Sequence, residues 1–426
     1  MASEPPTTAR PKVLILGAGF AGLGAARKLH KAPVDVVLVD RHDYHTFQPL
    51  LYQVATDVLD PETVGHPVRE YVDHQPNLRF VTASVETIDT SSRIVTFSDW
   101  EDQAYDLLVV GLGAQANFFG TEGAAEHAFP LYTLSDSLRL KNHVLNLFEQ
   151  AVKMDPTQAA SHLDMVIVGG GPTGVETAGA MADLLYTTFA RDAPRFPIGN
   201  AKITLVEHGD RLLKMFDEGM SAYTRDALEE RGVTIRLGEA VKSIGTDAVT
   251  LGSGEVIPAN TTVWGAGLKA SPLSSQLTDD LQHGRVPVGP LLNLADHPEV
   301  FVAGDLAWIT DAKTGEVLPQ LGSVALQAGE HIGKTIDRQL RKHKDPEPFH
   351  YIDKGTMATI GRGAAVAVVP PDMHLTGKPA FLAWGAVHLA LLNGADSKSS
   401  ALTNWFWTWM RHDRPSRVLI HPDEED

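Results

Sequence analysis

The sequence contains two copies of the glycine motif G-x-G-x-x-G, a spacing suited to binding a dinucleotide. They span Gly17–Gly22 and Gly169–Gly174, and each directly follows a short apolar run. The glycines of such a motif allow a tight turn and a close approach of the backbone to a pyrophosphate, which binds at the N-terminus of the next helix. One copy is a weak signal. Two copies predict that two dinucleotides are brought together, most simply a nicotinamide and a flavin that exchange electrons.

An acidic residue ends the strand-like run that follows each motif. Asp40 follows Val34–Val39, and Glu207 follows Ala201–Val206. A carboxylate at this place accepts hydrogen bonds from a ribose hydroxyl of the bound dinucleotide. The alternative for Glu207 is an exposed acid at a strand tip. If Glu207 binds the ribose, it also repels the 2′-phosphate of NADPH, so we expect a preference for NADH.

The composition limits the class of protein. The chain has 426 residues, enough for two or three domains, and 43% of them are hydrophobic, which is typical of a globular α/β protein. It has no cysteine, which excludes disulfides, thiolate metal sites and a dithiol redox relay. Its 18 histidines show no metal-ligand spacing such as H-E-x-x-H, so we expect no metal. A net charge of −17 disfavours a nucleic-acid partner.

The chain shows no signal for insertion into or across a membrane. Residues 1–10 are polar and lack an apolar core, so we expect no signal peptide. No apolar run reaches the roughly 18 residues that a membrane-spanning helix requires.

The pattern of elements predicts an internal duplication. Each half reads as strand, glycine motif, helix and acidic strand, and later a strand that ends in glycines, at Asp106–Ala114 and again at Thr262–Gly267. We therefore predict an α/β protein with two Rossmann-like dinucleotide-binding domains, followed by a C-terminal region that associates with a membrane.

The C-terminal region combines an apolar stretch, Pro379–Leu392, with aromatic residues at helical spacing. The stretch is too short to cross a bilayer, so we expect peripheral docking. The alternative is packing in the core or in a dimer interface. The residues concerned are the apolar Leu402, Trp405, Phe406, Trp409 and Met410, followed by the basic Arg411, Arg414 and Arg417.

Three stretches narrow the interpretation. They are Phe47–Ala55 (FQPLLYQVA), Gly170–Glu176 (GGPTGVE) and Asp353–Arg362 (DKGTMATIGR), and the tail with Trp384–Leu391 and Trp405–Trp409 adds to them. Together they resemble the two-dinucleotide flavoprotein reductases, and among these the type II NADH dehydrogenases, over nearly the whole chain. The glycine motifs are generic, whereas the first and third stretches are much more specific.

This resemblance implies a function. Members of that family pass a hydride from NADH to a non-covalently held FAD and then two electrons to a membrane quinone, without pumping protons. It implies an FAD-binding domain at residues 10–120 and 268–345, an NADH-binding domain at 121–267, and a quinone-side, membrane-docking or dimerisation region at 346–426. We accordingly expect a homodimer bound peripherally to the cytoplasmic face of the cell membrane.

The resemblance also assigns roles to individual residues. The residues expected on the FAD side are Gly17, Gly19, Ala21, Gly22, Asp40, Gly304 and Asp305. Those expected on the NADH side are Gly169, Gly171, Thr173, Gly174, Glu207 and Gly267. Catalytic roles near the reacting rings fall to Glu176 and Lys354, and quinone-side roles fall to Gln327 and to Ser323, which stands where the family often has a glutamine.

Each of these roles has a simpler alternative. Asp305 could be a turn former, Glu176 an acid favoured by the helix dipole, Lys354 a surface lysine and Gln327 an ordinary helix residue. His388, within the apolar C-terminal stretch, is expected to be a core histidine rather than a ligand.

Two other functions remain open at this point. The first is a soluble NAD(P)H-dependent flavin reductase or oxidase that uses oxygen or a small electron acceptor. The second is a nucleotide-sensing protein that holds FAD without turnover.

Overall fold

The computed structural model describes residues 10–341 and 345–411, without the side chains of Trp409 and Arg411. Residues 1–9 and the predicted membrane-facing Arg414 and Arg417 lie outside the described residues. The chain forms two compact units. The first comprises the chain up to His45 with Pro67–Gln115 and Leu268–Ile352, and the second comprises Thr46–His66, Ala116–Gly267 and the chain from Asp353 onward.

The strands are short and mostly apolar. In chain order they are β1 (Lys12–Leu16), β2 (Asp35–Asp40), β3 (Tyr44–Thr46), β4 (Gly65–Pro67), β5 (Leu78–Thr82), β6 (Val85–Asp89), β7 (Ile94–Phe97), β8 (Gln103–Ala104), β9 (Leu107–Val110), β10 (Ala114–Ala116), β11 (Ala128–Pro130), β12 (Met165–Val168), β13 (Ile203–Glu207), β14 (Val233–Leu237), β15 (Val241–Ile244), β16 (Ala248–Leu251), β17 (Val256–Pro258), β18 (Thr261–Trp264), β19 (Leu268–Ala270), β20 (Val286–Pro287), β21 (Val300–Val302), β22 (Ala307–Trp308), β23 (Thr356–Thr359), β24 (Ala365–Val369) and β25 (Met373–Thr376).

The helices alternate with these strands. In chain order they are α1 (Phe20–Lys28), α2 (Leu51–Ala55), α3 (Pro61–Val64), α4 (Val68–Val72), α5 (Ala124–His127), α6 (Leu134–Ala151), α7 (Pro156–Ala159), α8 (Pro172–Asp183), α9 (Ala190–Asp192), α10 (Glu218–Glu229), α11 (Gly322–Arg341), α12 (Gly377–Leu391) and α13 (Ala395–Arg411). A π-helical segment, Leu184–Phe189, continues α8, and 3₁₀ turns occur at Gln48–Leu50, Ser161–Leu163, Ile198–Asn200, Pro272–Gln276 and Gly304–Leu306.

A five-stranded parallel sheet in the order β21-β9-β1-β2-β5 forms the centre of the first unit. Its middle strand β1 is apolar and almost fully buried, as expected of a parallel strand that is covered on both faces. Helix α1 follows β1 and packs against α11 through glycines. A Cβ built on Gly329 would lie 1.9 Å from the Ala21 carbonyl oxygen, so only glycine allows this close approach. The packing fixes α1, and with it the glycine loop at its N-terminus.

The second unit repeats this arrangement. Its parallel sheet has the order β11-β18-β12-β13-β14, with β12, α8 and β13 in the places of β1, α1 and β2. A small antiparallel sheet accompanies each parallel one, β6-β7-β8 in the first unit and β15-β16-β17 in the second. The predicted α/β fold with two duplicated Rossmann-like sheets is confirmed.

The C-terminal part of the second unit contains a third antiparallel sheet, β23-β24-β25, covered by α12. The inner face of α12 buries Ala380, Trp384 and His388, which are spaced by four residues as one face of a helix requires. Among the helices that the structure describes, none is long and apolar enough to span a bilayer.

Candidate dinucleotide sites

The first glycine loop is held by steric exclusion and by one backbone bond. Gly17 has φ +96° and donates its N–H to the Val39 carbonyl at 2.7 Å. A Cβ on Gly22 would lie 1.8 Å from the Gly17 carbonyl oxygen, and a Cβ on Gly17 would lie 2.4 Å from that of Gly111. These two positions therefore require glycine whether or not a ligand is bound. Ala21 lies between them in the first turn of α1 and is buried.

Two side chains fix the peptide of Ala18 at the tip of this loop. Asp40 accepts the Ala18 N–H at 2.6 Å and the His42 N–H at 2.8 Å, one on each carboxylate oxygen. The imidazole Nδ1 of His45 lies 3.0 Å from the Ala18 carbonyl oxygen and therefore donates to it. His45 is buried, edge-on to the ring of Phe20. Sequence reasoning missed His45, which stands in a loop with many apolar residues.

The first loop fits an FAD pyrophosphate. Gly19 is the N-cap of α1, is exposed, and has no atom within 4 Å of the place where a Cβ would stand. No side chain caps the first turn of α1, so its N–H groups are available to an anion, which the helix dipole also favours. Each Asp40 oxygen accepts one N–H and keeps lone-pair capacity for ribose hydroxyls.

The second predicted FAD segment lies beside a recess in the same unit. Gly304 has φ +76° and begins a 3₁₀ turn that contains Asp305. Gln320 donates its side-chain amide to the Asp305 carbonyl oxygen at 2.9 Å. Burial lowers the pKa of the neighbouring Arg285, and attraction to Asp305 opposes that shift. The lining of the recess includes Arg285, Asp305, Leu318, Gln320, Val324 and Ala325.

The second glycine loop reproduces the first almost bond for bond. Gly169 has φ +109° and donates to the Val206 carbonyl at 2.8 Å, and a Cβ on Gly174 would lie 1.8 Å from the Gly169 oxygen. Glu207 accepts the N–H groups of Gly170 and Gly209, both at 2.6 Å, one on each oxygen. This geometry replaces the alternative of a free acid at a strand tip. Ribose binding by Glu207 stays a prediction.

The remaining NADH-side residues lie around this loop. Gly171 is the N-cap of α8, again with no side-chain cap and no atom within 4 Å of a built Cβ. Thr173 is in the first turn, where its carbonyl oxygen accepts the Thr177 hydroxyl at 2.6 Å. Gly267 follows β18 with φ +149°, and a Cβ there would lie 2.7 Å from the ring of Phe119. The site therefore has the shape and the donors for a second pyrophosphate.

Glu176 is buried in α8 with 8% of its surface exposed. Its Oε1 accepts the backbone N–H of Thr359 in β23 at 3.2 Å. Burial raises the pKa of Glu176 to about 8, more than its bonds from Thr359 lower it. At neutral pH this acid therefore holds a proton, which an exposed acid that only complements a helix dipole would not do.

Lys354 lies in the same unit but in a different environment. It is exposed, in a turn before β23 where Gly355 has φ +95° and donates its N–H to Asp353 at 2.8 Å. Its predicted place beside the flavin stays a prediction.

The two predicted quinone-side residues lie on α11 and hold the chain segment 351–352. The Gln327 amide pairs with the Ile352 backbone, donating to its carbonyl at 2.9 Å and accepting its N–H at 3.0 Å. The Ser323 hydroxyl lies 2.9 Å from the Tyr351 hydroxyl. Both side chains thus have a local structural role, and their contact with quinone stays a prediction.

His388 is a core histidine. It is 9% exposed and donates Nδ1–H to the Trp384 carbonyl at 2.8 Å, and burial lowers its pKa to about 4. It is therefore neutral at physiological pH.

Comparison with known proteins agrees with this geometry. Residues 11–329 match the model of the pyridine nucleotide-disulphide oxidoreductase family. The chain is 34% identical to the type II NADH:quinone oxidoreductase Ndh of Mycobacterium tuberculosis over 96% of this chain and 89% of the relative. It is 29% identical to the type II NADH:quinone oxidoreductase of Staphylococcus epidermidis over 88% of this chain and 93% of the relative.

Solved structures share the fold. NDH2 from Plasmodium falciparum, solved in complex with NADH, superposes with a TM-score of 0.88 at 17% identity, over 97% of this chain and all of that chain (100%). The sulfide:quinone oxidoreductase of Aquifex aeolicus gives a TM-score of 0.72 at 17% identity, over 97% and 96% of the two chains. The chain belongs to the type II NADH:quinone oxidoreductases, within the pyridine nucleotide-disulphide oxidoreductase family, as the sequence motifs predict.

Proposed function

We propose that this protein oxidises NADH and reduces a membrane quinone, without pumping protons. The observation that carries the proposal is the pair of matching glycine loops. Each has an open N-cap glycine and a strand-end carboxylate that holds the loop from behind. The names of the relatives at 34% identity support the choice of NADH and quinone as substrates.

The first loop, with Asp40, Gly304 and Asp305, binds FAD, and the second loop, with Glu207, binds NADH. FAD, when bound, accepts a hydride from NADH and delivers two electrons to the quinone. The protein binds the two pyrophosphates on backbone N–H groups, and Glu207 selects against the extra phosphate of NADPH by charge.

Glu176 supplies a proton, and Lys354 stabilises negative charge. Because Oε1 of Glu176 accepts the Thr359 N–H, the acidic proton resides on Oε2 and is available to a reduced acceptor. The exposed ammonium of Lys354 stabilises negative charge that develops nearby.

The C-terminal helices dock the enzyme on the cytoplasmic face of the membrane. Leu402, Phe406 and Met410 recur every four residues on α13 and are 55%, 56% and 57% exposed. Leu382 and Leu391 of α12 are also exposed, at 71% and 49%. An apolar helix face with aromatic rings is suited to the interface of a bilayer. The alternative occupant of this face is a second copy of the chain, in a homodimer.

Vesicle binding separates these two uses of the helix face. The variant Leu402→Glu/Phe406→Glu should lose binding to anionic liposomes, whereas Val256→Glu, a change to a 58% exposed apolar residue of β17, should keep it. Binding that persists in the first variant, together with a change from dimer to monomer, would assign the face to self-association.

The activity is tested on the purified protein. Acid denaturation should release the yellow chromophore as free FAD, because the chain has no cysteine for a thioether link. NADH added without oxygen should bleach the flavin, and a short-chain quinone should restore its colour. Bleaching without quinone-dependent recovery would favour a reductase of another acceptor, and no bleaching would favour a nucleotide-sensing protein.

A further inference from the structure

A continuous chain of hydrogen bonds connects the C-terminal helix to the buried acid Glu176, within the second unit. Trp405 of α13 donates its indole N–H to Gln53 Oε1 at 2.6 Å, and Gln53 Nε2 donates to the Tyr52 hydroxyl at 3.0 Å. The Tyr52 hydroxyl lies 2.8 Å from Thr359 Oγ1. Thr359 reaches Glu176 with both its backbone N–H and its hydroxyl.

The indole of Trp405 determines which group donates at each step of this hydrogen-bond chain. An indole N–H only donates, so the oxygen of the Gln53 amide must face Trp405 and its NH₂ must face Tyr52. The Tyr52 oxygen then accepts, which directs its own hydrogen to Thr359 Oγ1. Because Oγ1 of Thr359 accepts from Tyr52, its hydroxyl hydrogen is free to point at the Glu176 carboxyl. Every donor in the chain is thereby aimed toward the acid.

We propose that Trp405, Gln53 and Tyr52 are positioning residues, and that the docking of α13 directs hydrogen-bond donors at Glu176 and so sets how firmly this acid holds its proton. Donors that point at a carboxylate stabilise its ionised form. With α13 in place the acid releases its proton more readily, and when α13 leaves, the Gln53 amide is free to turn and the acid holds its proton more firmly. The inference rests on the proposed function for its use in the reaction.

Other contacts, beside those of the hydrogen-bond chain, also hold α13 in place. Asn404 donates to Asp60 at 3.3 Å, and the hydroxyls of Ser400 and Thr63 lie 3.0 Å apart. The ring of Trp405 also packs against that of Trp384, with centroids 5.3 Å apart. A shift of α13 would therefore break the first bond of the chain.

The hydrogen-bond chain acts against the effect of burial on the pKa of Glu176. Burial raises this pKa to about 8, and the bonds from Thr359 act in the opposite direction. Other titratable or charged groups lie on α8, on the elements that pack against α8, or next to them. They are Asp183 of α8, Tyr52 of α2 and Asp57 just after it, Tyr186 of the π-helical segment, Lys354 and Arg362 beside β23, Glu207 of β13, Arg236 of β14, and Glu218, Tyr223, Arg225, Asp226 and Glu229 of α10.

The test is an infrared titration of the flavin-loaded protein. The carboxylic C=O band of Glu176 is assigned by its loss in Glu176→Gln, and the pH at which it disappears is then measured. Trp405→Phe and Tyr52→Phe, which keep the rings and remove one donor each, should raise this midpoint by roughly 0.5–1 pH unit, the scale of one hydrogen bond. Trp407→Phe, a change in a 40% exposed ring of the same helix, should leave it unchanged.

The double variant Trp405→Phe/Tyr52→Phe distinguishes a chain from two separate effects. Because both changes interrupt the same chain, the double variant should shift the midpoint by less than the sum of the single variants. Midpoints equal to that of the unchanged protein in both single variants, or fully additive shifts, would overturn the inference. The titration needs no quinone, so a shifted midpoint in a protein without quinone reductase activity would refute the proposed function and leave the inference standing.

Discussion

The two glycine loops of this protein are close copies that differ in how one peptide is held. In both loops a strand-end carboxylate accepts the N–H of the second loop residue, Asp40 that of Ala18 and Glu207 that of Gly170. The carbonyl of the same residue is bound by a side chain in the first loop, where His45 donates to it. In the second loop the backbone N–H of Leu213 does so at 2.8 Å.

One aligned position has a different use in each of the two helices that follow the loops. Counting from the first motif glycine, Gly24 of α1 corresponds to Glu176 of α8. A Cβ on Gly24 would lie 2.8 Å from the Leu326 carbonyl oxygen of α11, so this position serves helix packing. The same place in the second unit carries a buried acid. The duplicated fold thus holds both loops in the same way, while one aligned helix position serves packing in the first unit and carries a buried acid with a raised pKa in the second.

The largest expected effect follows from what the loops share. Gly22→Ala and Gly174→Ala each place a Cβ 1.8 Å from a loop carbonyl oxygen. Each should lower the free energy of unfolding by more than about 4 kcal/mol or prevent folding, the range reserved for severe backbone clashes. Thermal or denaturant unfolding measures this, and a normal melting temperature in either variant would contradict the loop geometry.

The second prediction concerns the position where the copies differ. Burial raises the pKa of Glu176 from 4.5 to about 8, so between these pH values the folded state holds a proton that the unfolded chain lacks. The free energy of unfolding should therefore fall as pH rises through this window, by at most about 5 kcal/mol in total, with full stability below it.

Denaturant unfolding at about pH 4 and pH 9 measures the contribution of Glu176. Glu176→Gln should be more stable than the unchanged protein at the higher pH and similar to it at the lower pH. Glu218→Gln, which changes an exposed acid in the first turn of α10, is the matched control and should follow the unchanged protein. An equal pH dependence in Glu176→Gln would show that this acid is not the buried titrating group.

The third prediction uses the carboxylate of the second loop. Repulsion of the NADPH phosphate by Glu207, with one lost ribose bond, should favour NADH by roughly 1–3 kcal/mol, or about 5- to 150-fold in kcat/KM. Glu207→Gln should narrow this preference. Glu207→Gln should also weaken NADH binding. The carboxylate of Glu207 accepts two backbone N–H groups, and the NH₂ of the new glutamine would face one of them, donor against donor. Equal kcat/KM for both cofactors in the unchanged protein would refute the assignment.

The smallest effect tests the difference in how the peptides are held. His45→Phe keeps a ring in place and removes the bond to the Ala18 carbonyl, which should weaken FAD binding by about 1 kcal/mol, roughly fivefold in Kd. NADH affinity should not change, since the corresponding bond in the second loop comes from the backbone of Leu213. Weaker NADH binding with unaltered FAD binding would reverse the assignment of the two loops.

The sequence allowed the duplicated fold to be predicted because the apolar strands, the glycine motifs and the acids Asp40 and Glu207 are local patterns. The shared role of these acids in holding the loops was not predicted, since it depends on which backbone N–H groups the turn presents. His45, Tyr52 and Gln53 were missed for a similar reason. Their partners Ala18, Thr359 and Trp405 are distant in the sequence, and only the packing brings them together.

In the proposed function the first loop binds FAD and the second loop binds NADH. Gly19 and Gly171 are helix N-caps with extended backbone and open space, so aspartate fits either position and supports the helix as a capping residue. The added carboxylate occupies and repels the pyrophosphate at that loop only. Gly19→Asp should therefore fold without FAD, and Gly171→Asp should retain it.

The decisive measurement is the rate of flavin bleaching by NADH in Gly171→Asp, followed by stopped-flow absorbance without oxygen. Gly171→Asp should have full FAD content, and dithionite should bleach its flavin at the normal rate. NADH, at concentrations sufficient for the unchanged protein, should bleach it at least about 100-fold more slowly, the scale of one lost charged interaction. Bleaching by NADH at the unchanged rate would contradict the claim that the second loop binds NADH.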